Sequence, residues 1–168
     1  MATTNLTAAR ARELFSYCPI DVTLTRRVDV LGRFGKAGTI ASSVHRRTGY
    51  MRVGIDRARY ATHRVIWLYV TGDWPSLFID HIDGDRANNR WINLRMVTKS
   101  ENAQNQRCAR SNNKSSGILG VQKDSRGRWR AKIHVDHRQV YLGTFDSPSE
   151  ASDAYIQAKR LYHPAGML

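Results

Sequence analysis

The sequence predicts an α+β protein in three stretches: a β-rich front, a strand–loop–strand–helix centre, and a rear three-stranded antiparallel sheet packed on one helix. Three patterns carry that reading. Short apolar runs punctuated by glycine fill residues 22–60. Acids and asparagines crowd residues 80–89 between two apolar runs. Residues 128–135 alternate polar and apolar side chains without a slip, ahead of a run with helical spacing.

Taken in order, Thr7 has the side chain to cap a short helix over residues 8–15, which Tyr17-Cys18-Pro19 ends. Short strands then turn at Gly32, Gly35, Gly38, Gly49 and Gly54. Within them, residues 50–53 and 59–61 make one hairpin around Gly54-Ile55-Asp56. Residues 63–70 form a compact apolar-rich helix closed by Thr71-Gly72. A strand at 77–79, a polar loop at 80–89, a returning segment at 91–95 and a helix from Ser100 to about Arg107 follow.

Residues 111–116 are polar and small, the composition of a linker. Behind them, Trp129, Ala131, Ile133 and Val135 face one way, and Arg128, Arg130, Lys132 and His134 the other. Asp136-His137-Arg138 turns the chain and residues 139–145 return as a third strand. Ser147 caps a helix with Pro148 in its first turn and Glu150 at capping-box spacing. Ala151, Ala154, Tyr155 and Ala158 make its packing stripe. The expected organisation is a front region at 1–62, a centre at 63–110, the linker, and a rear module at 117–168.

Composition narrows the function. In 168 residues, 27 Lys and Arg stand against 14 Asp and Glu, a net charge of +13. A surplus of that size marks a polyanion binder, because each phosphate contacted releases condensed counterions. Residues 1–62 hold 11 basic and 4 acidic side chains, whereas residues 63–110 hold 7 and 5. Acids clustered inside a nucleic-acid-binding chain call for a cation. No apolar run approaches membrane-spanning length, so no membrane partner is expected. Met1-Ala2-Thr3-Thr4-Asn5 is no signal peptide and Cys18 and Cys108 form no CxxC pair, which points to a reducing cytoplasm rather than a disulfide framework or zinc knuckle.

The hexad Asp80-His81-Ile82-Asp83-Gly84-Asp85 is the most informative in the chain. A carboxylate can hold a hard cation while the neighbouring imidazole removes a proton from water. On an extended strand adjacent side chains point oppositely, so the strand end must twist for both to serve one centre. Asn93 follows His81 by 12 positions and Asn102 by 21. Asn102 falls in the first turn of the expected helix, where its oxygen can reach a cation. Asn93 falls on the returning segment, where its amide can fix the tautomer of the ring. Asp83 and Asp85 read as turn residues. His63 stands open between an interior histidine bonded to backbone and a catalytic partner.

These motifs, with Asn88-Asn89-Arg90-Trp91-Ile92-Asn93-Leu94-Arg95, Glu101-Asn102-Ala103-Gln104-Asn105, His63-Arg64-Val65-Ile66-Trp67 and Gly72-Asp73-Trp74-Pro75, resemble the ββα-metal core of HNH nucleases, specifically the phage HNH homing endonucleases. The resemblance covers residues 60–107. It implies His81 as general base, Asp80 and Asn102 as ligands of one Mg2+ or Mn2+ ion, Asn93 as the residue bracing the loop and the histidine, and His63 and Asn105 as accessory positions. The last ligand position is often His in the family. Here it is Asn102, which suits magnesium or manganese better than zinc.

Residues 117–163 resemble an AP2-type DNA-binding domain, through Gly120-Val121, Gly127-Arg128-Trp129-Arg130-Ala131-Lys132-Ile133, Tyr141-Leu142-Gly143-Thr144-Phe145 and Glu150-Ala151 with Ala154-Tyr155. The resemblance implies an open sheet face in the major groove of double-stranded DNA, carried by Arg126, Arg128, Arg130, Lys132, His134, Gln139 and Tyr141. Gln122, Asp124 and Arg126 depart from the family's basic or aromatic pattern, so the target differs from that of the plant proteins. In the front region Arg26-Arg27, Arg46-Arg47, Arg52, Arg57 and Arg59 either track the DNA backbone or belong to a region that supports the core.

The expected protein is a metal-dependent homing endonuclease, nicking as a monomer on DNA with a dimer as the alternative, in the cytoplasm of an infected host cell if phage-encoded. The rival readings are a catalytically silent DNA-binding regulator and a low-specificity phage nuclease that aids DNA packaging or host-genome degradation.

Overall fold

The computed structural model describes residues 6–20, 22–29, 35–109, 113, 115–136 and 138–166. By packing, the chain divides into one unit up to Val97 and another from Thr98.

The first unit opens with α1 (Ala8–Leu14), whose cap Thr7 accepts the amide of Arg10 at 3.2 Å. Residue 15 leaves the helix because Phe15 begins a strand, β1 (Phe15–Cys18), which pairs antiparallel with β2 (Thr23–Arg26). A second sheet holds β3 (Ser42–Val44), β4 (Met51–Ile55) and β5 (Ala58–Ala61) in that order. The expected turn at Gly32 lies outside the described residues.

The β4–β5 hairpin is where it was expected, but its turn is Asp56-Arg57 rather than one centred on Gly54-Ile55-Asp56. Gly54 sits in the ladder opposite Arg59. Asp56 and Arg57 both take positive φ, 44° and 66°, the pattern of the tight mirror-image hairpin turn. Arg10 holds that turn, donating through Nε and Nη2 to the two Asp56 carboxylate oxygens at 3.2 and 3.1 Å. A tertiary ion pair thus meets the turn from α1.

α2 (Thr62–Thr71) closes on Gly72, whose amide bonds the Leu68 carbonyl at 2.9 Å. One face of α2 packs Val65 and Leu68 against Ala11, Phe15, Leu24 and Val53, so the front region is built into the same core. Ile66, also buried, meets Ile79 and Leu94. Those two belong to β6 (Phe78–His81) and β7 (Leu94–Val97), an antiparallel pair with Asp80 opposite Arg95 and His81 opposite Leu94. Trp67 and Trp91 meet beside it with their rings tilted by 48°, at 5.0 Å between centroids. Asp80 and His81 therefore end a strand; the polar loop starts only at Ile82.

In the second unit, α3 (Lys99–Gln104) starts earlier and stops sooner than the expected helix. Thr98 and Glu101 form a full capping box, with Glu101 Oε2 accepting the Thr98 amide at 2.8 Å. Of the expected linker, Ser111, Asn112 and Lys114 lie outside the described residues. Asn113 donates to the Ile118 carbonyl and Ser116 to the Val121 carbonyl, at 2.9 and 2.6 Å.

The rear module has the predicted architecture. β8 (Val121–Lys123), β9 (Trp129–Val135) and β10 (Arg138–Phe145) form one antiparallel sheet with β9 central, and α4 (Pro148–Tyr162) lies across it. Ser147 caps α4 by accepting the Glu150 amide. Ala131, Val121 and Ala151 make one core cluster and Ile133, Tyr155 and Ala158 the next. Gly120 is required where it stands: a methyl there would overlap the Tyr155 ring, and its φ is +73°. His137 of the expected β9–β10 turn lies outside the described residues.

Candidate active site

The last two residues of β6 build the site. Asp80 is 8% exposed and His81 3%. Across the ladder, Arg95 donates to Asp80 Oδ2 through Nε at 3.1 Å and Nη2 at 2.9 Å. That partner follows from register alone, since cross-strand neighbours on one face meet.

The imidazole of His81 is held by Asn89. Its Nε2 lies 3.0 Å from Asn89 Oδ1, and Asn89 is 1% exposed. The Asn89 amide nitrogen donates to the Ala87 carbonyl at 3.2 Å, which orients the amide with its oxygen toward the ring. Nε2 must then carry the proton, and the basic lone pair of the neutral ring lies on Nδ1. The ring of His63 meets His81 edge-on at 5.2 Å, and Tyr50 lies 5.9 Å from it. An imidazole walled in this way is held to one orientation by Asn89.

Asn93 was expected to fix that tautomer. The structure gives the ring contact to Asn89 and sets Asn93 to bracing the loop. Its Oδ1 accepts the Asp83 amide at 3.0 Å, and its Nδ2 donates to Asp83 Oδ1 and the Asn88 carbonyl at 2.9 and 2.7 Å. Its own carbonyl accepts the Ile82 amide. The reason is geometric: Asn93 lies in the short 3-10 turn Trp91–Asn93 facing the start of the loop, whereas Asn89 reaches the ring from the loop's far end. The adjacent pair Asn88-Asn89 was the signal available in sequence. Asp83 and Asp85 act as turn residues, each accepting the amide two positions ahead.

His63 is buried, 8% exposed, but its Nδ1 finds no hydrogen-bond partner among the described residues, contrary to an interior histidine tied to backbone. Burial first, then the positive charge that His81 and Arg64 can bring, push its pKa down to about 4, so it is neutral near pH 7. Asn102 lies on α3 and Asn105, 6% exposed, caps its end, both in the second unit.

On the rear sheet, Arg126, Arg128, Arg130, His134, Gln139 and Tyr141 are exposed and Lys132 half-buried. The register sets Arg130 beside Gln122 and Thr144, Lys132 beside Tyr141, and His134 beside Gln139. Asp124, an odd neighbour for phosphate, shapes the β8–β9 turn: its Oδ1 accepts the amides of Arg126 and Arg128, both at 2.9 Å. In the front region Arg46, Arg47, Arg52, Arg57 and Arg59 are exposed. Arg26 is instead 7% exposed, with its guanidinium 5.8 Å over the Phe15 ring, so it leaves the set of phosphate candidates.

Comparison with known proteins agrees with this geometry. Residues 60–104 match the family model described as HNH endonuclease. The chain is 35% identical over 119 residues to an uncharacterized HNH endonuclease of Acanthamoeba polyphaga mimivirus, covering 69% of this chain and 60% of that protein. It is 33% identical over 79 residues to Protein 3.8 of Escherichia phage T7, covering 46% of this chain and 64% of that one. Over 39 residues it is 49% identical to an AP2/ERF and B3 domain-containing transcription factor of Arabidopsis thaliana, which is 23% of this chain and 11% of the plant protein. The chain thus spans less than two thirds of each of these relatives. No solved structure matches it. Residues 60–104, with the enclosed Asp80–His81 strand end and its asparagine-built loop, are an HNH endonuclease domain.

Proposed function

We propose that the protein is a metal-dependent homing-type endonuclease that hydrolyses phosphodiester bonds of double-stranded DNA, nicking at a preferred site. The observation that carries the reading is the 3.0 Å contact of Asn89 Oδ1 with His81 Nε2, on the strand end beside Asp80. An imidazole held through Nε2–H presents Nδ1 as base to an attacking water, and a positioned general base contributes about 10²–10⁴-fold to rate.

Asp80 and Asn102 would hold one divalent cation. The donors are a carboxylate and a neutral amide oxygen, a hard set that suits Mg2+ or Mn2+, which keep several waters of their own. Bound there, such an ion supplies stabilisation of the charge that develops on the scissile phosphate and its 3′ leaving oxygen. His81 takes the proton, Asn89 keeps the ring in its reactive tautomer, and Asn93 keeps the loop in place.

Site preference is assigned to the rear sheet, whose face of Arg128, Arg130, Lys132, His134, Gln139 and Tyr141, with Arg126 at its turn, offers both phosphate contacts and base-edge donors. Arg52, Arg57 and Arg59 of the front region add backbone contacts. One centre per chain acts on one strand, so a monomer nicks.

Incubating the protein with supercoiled DNA, with magnesium or with a chelator, tests this. Magnesium-dependent open circles are the expected product. Linear product would replace nicking by a double break. Unchanged supercoils that still shift in a gel would leave a DNA-binding protein, and cleavage indifferent to sequence would leave a nuclease without site preference.

A further inference from the structure

The loop over residues 82–90 has almost no apolar anchor of its own, so hydrogen bonds must place it. Asn93 and Asp83 fix its beginning. Its far end, where Asn89 meets the base, is tied to the front of the chain: Tyr17, on β1, donates its phenolic hydrogen to the Asn89 carbonyl at 2.9 Å. Arg86 makes a parallel tie, donating to the Thr48 carbonyl at 2.8 Å. Tyr17 is itself rigid. It pairs with Leu24 in the ladder, its ring meets Tyr69 edge-on at 6.2 Å, and it packs on both core clusters of the unit.

We infer that Tyr17 is a positioning residue for catalysis: by holding the Asn89 backbone it aims the Asn89 amide at His81 Nε2 and so keeps the base in its Nε2–H tautomer. The chain of contacts is Tyr17 Oη to Asn89 O, Asn89 Oδ1 to His81 Nε2, both within hydrogen-bond distance. Asn89 has little freedom between them, since its amide nitrogen and its backbone amide both donate to Ala87 O. Releasing the carbonyl lets the peptide rotate, and a small rotation at the backbone swings the side-chain oxygen off the ring. The role rests on His81 being the base. It also gives the β-rich front region a part in the chemistry beyond packing and charge.

Tyr17→Phe removes one oxygen and leaves the ring to pack, so the fold is kept. Two measurements on the full chain test the role. Nitrogen-15 NMR of the His81 ring should show the Nε2–H form in the wild type and a mixture of tautomers in Tyr17→Phe. Single-turnover cleavage at saturating DNA with magnesium should fall about 10-fold, in the range known for partners behind a reacting group, with DNA affinity unchanged. Because Tyr17 acts through Asn89, the double variant Tyr17→Phe/Asn89→Ala should cleave no more slowly than Asn89→Ala alone. The NMR reading stands even if the protein does not cut, which separates failure of this role from failure of the nuclease assignment. A wild-type ring spectrum in Tyr17→Phe, or rate losses that multiply in the double variant, would overturn it.

Discussion

Asp80 and Arg95 face each other across the β6–β7 hairpin, and the guanidinium grips one carboxylate oxygen through two nitrogens, at 3.1 and 2.9 Å. The side chains are 9% and 26% exposed, so removal of one partner takes a close ion pair from the other with little water to replace it. Arg95→Met should destabilise the fold by about 2 kcal/mol, the low end for breaking a buried pair, because Arg95 keeps some water. Asp80→Asn in the same chain should recover most of that loss. Urea titration of the single and double variants checks it; equal stability of Arg95→Met and wild type would show that the pair contributes nothing to folding.

Asn89→Ala tests the contact that holds the His81 ring. Its carboxamide is sealed and bonded at both ends, so its loss frees the ring to flip. Cleavage is expected to drop about 10–100-fold while DNA affinity stays within about twofold. Gel-shift titration beside single-turnover kinetics separates the two, and a variant cutting at the wild-type rate would remove Asn89 from the mechanism.

His63 predicts a pH dependence of stability. Its folded pKa is depressed to about 4 by burial and by His81 and Arg64, against 6.5 for an ordinary histidine. The unfolded chain then binds the proton more readily between those values, so stability is full above about pH 6.5 and declines as pH falls toward 4. The loss attributable to His63 is about 3 kcal/mol, at roughly 1.36 kcal/mol for each pKa unit. In His63→Phe, stability should fall less between about pH 7 and pH 4.5 than in the wild type. Parallel losses in urea titrations would show that His63 is not the group responsible.

The rear sheet makes its own prediction. Arg128 and Arg130 are exposed, just before β9 and on it, and Arg130 lies 3.8 Å from Asp124. If both take phosphates, changing them to Ala should weaken DNA binding and flatten the dependence of log affinity on log salt by about 0.9 for each phosphate no longer neutralised. Weaker binding with an unchanged slope would reassign them to base edges, and unchanged affinity at every salt would take this face off the duplex.

Much of the fold and part of the site were legible in the sequence because they depend on local pattern. The alternation from Arg128, the caps at Thr7 and Ser147 and the stop at Gly72 each reflect a short-range requirement, and each is met. What escaped depends on residues far apart in the chain. The Asp56-Arg57 turn was hidden because both residues take positive φ without being glycine, and their contact with Arg10 comes from 46 positions away. Arg26 read as a phosphate ligand because its burial against Phe15 needs the β1–β2 pairing. Asn89 looked like a loop residue and Asn93 like the ring's partner. Only the folded loop decides which amide reaches the imidazole.

The proposed chemistry stands on His81 as a base held in one tautomer at a DNA-cutting centre. Comparing His81→Ala with wild type on one duplex, under single-turnover conditions with magnesium, tests it most directly, with a binding titration alongside. Loss of cleavage by at least about 100-fold with affinity nearly intact is the predicted result. A His81→Ala protein that cuts as fast as the wild type would contradict it.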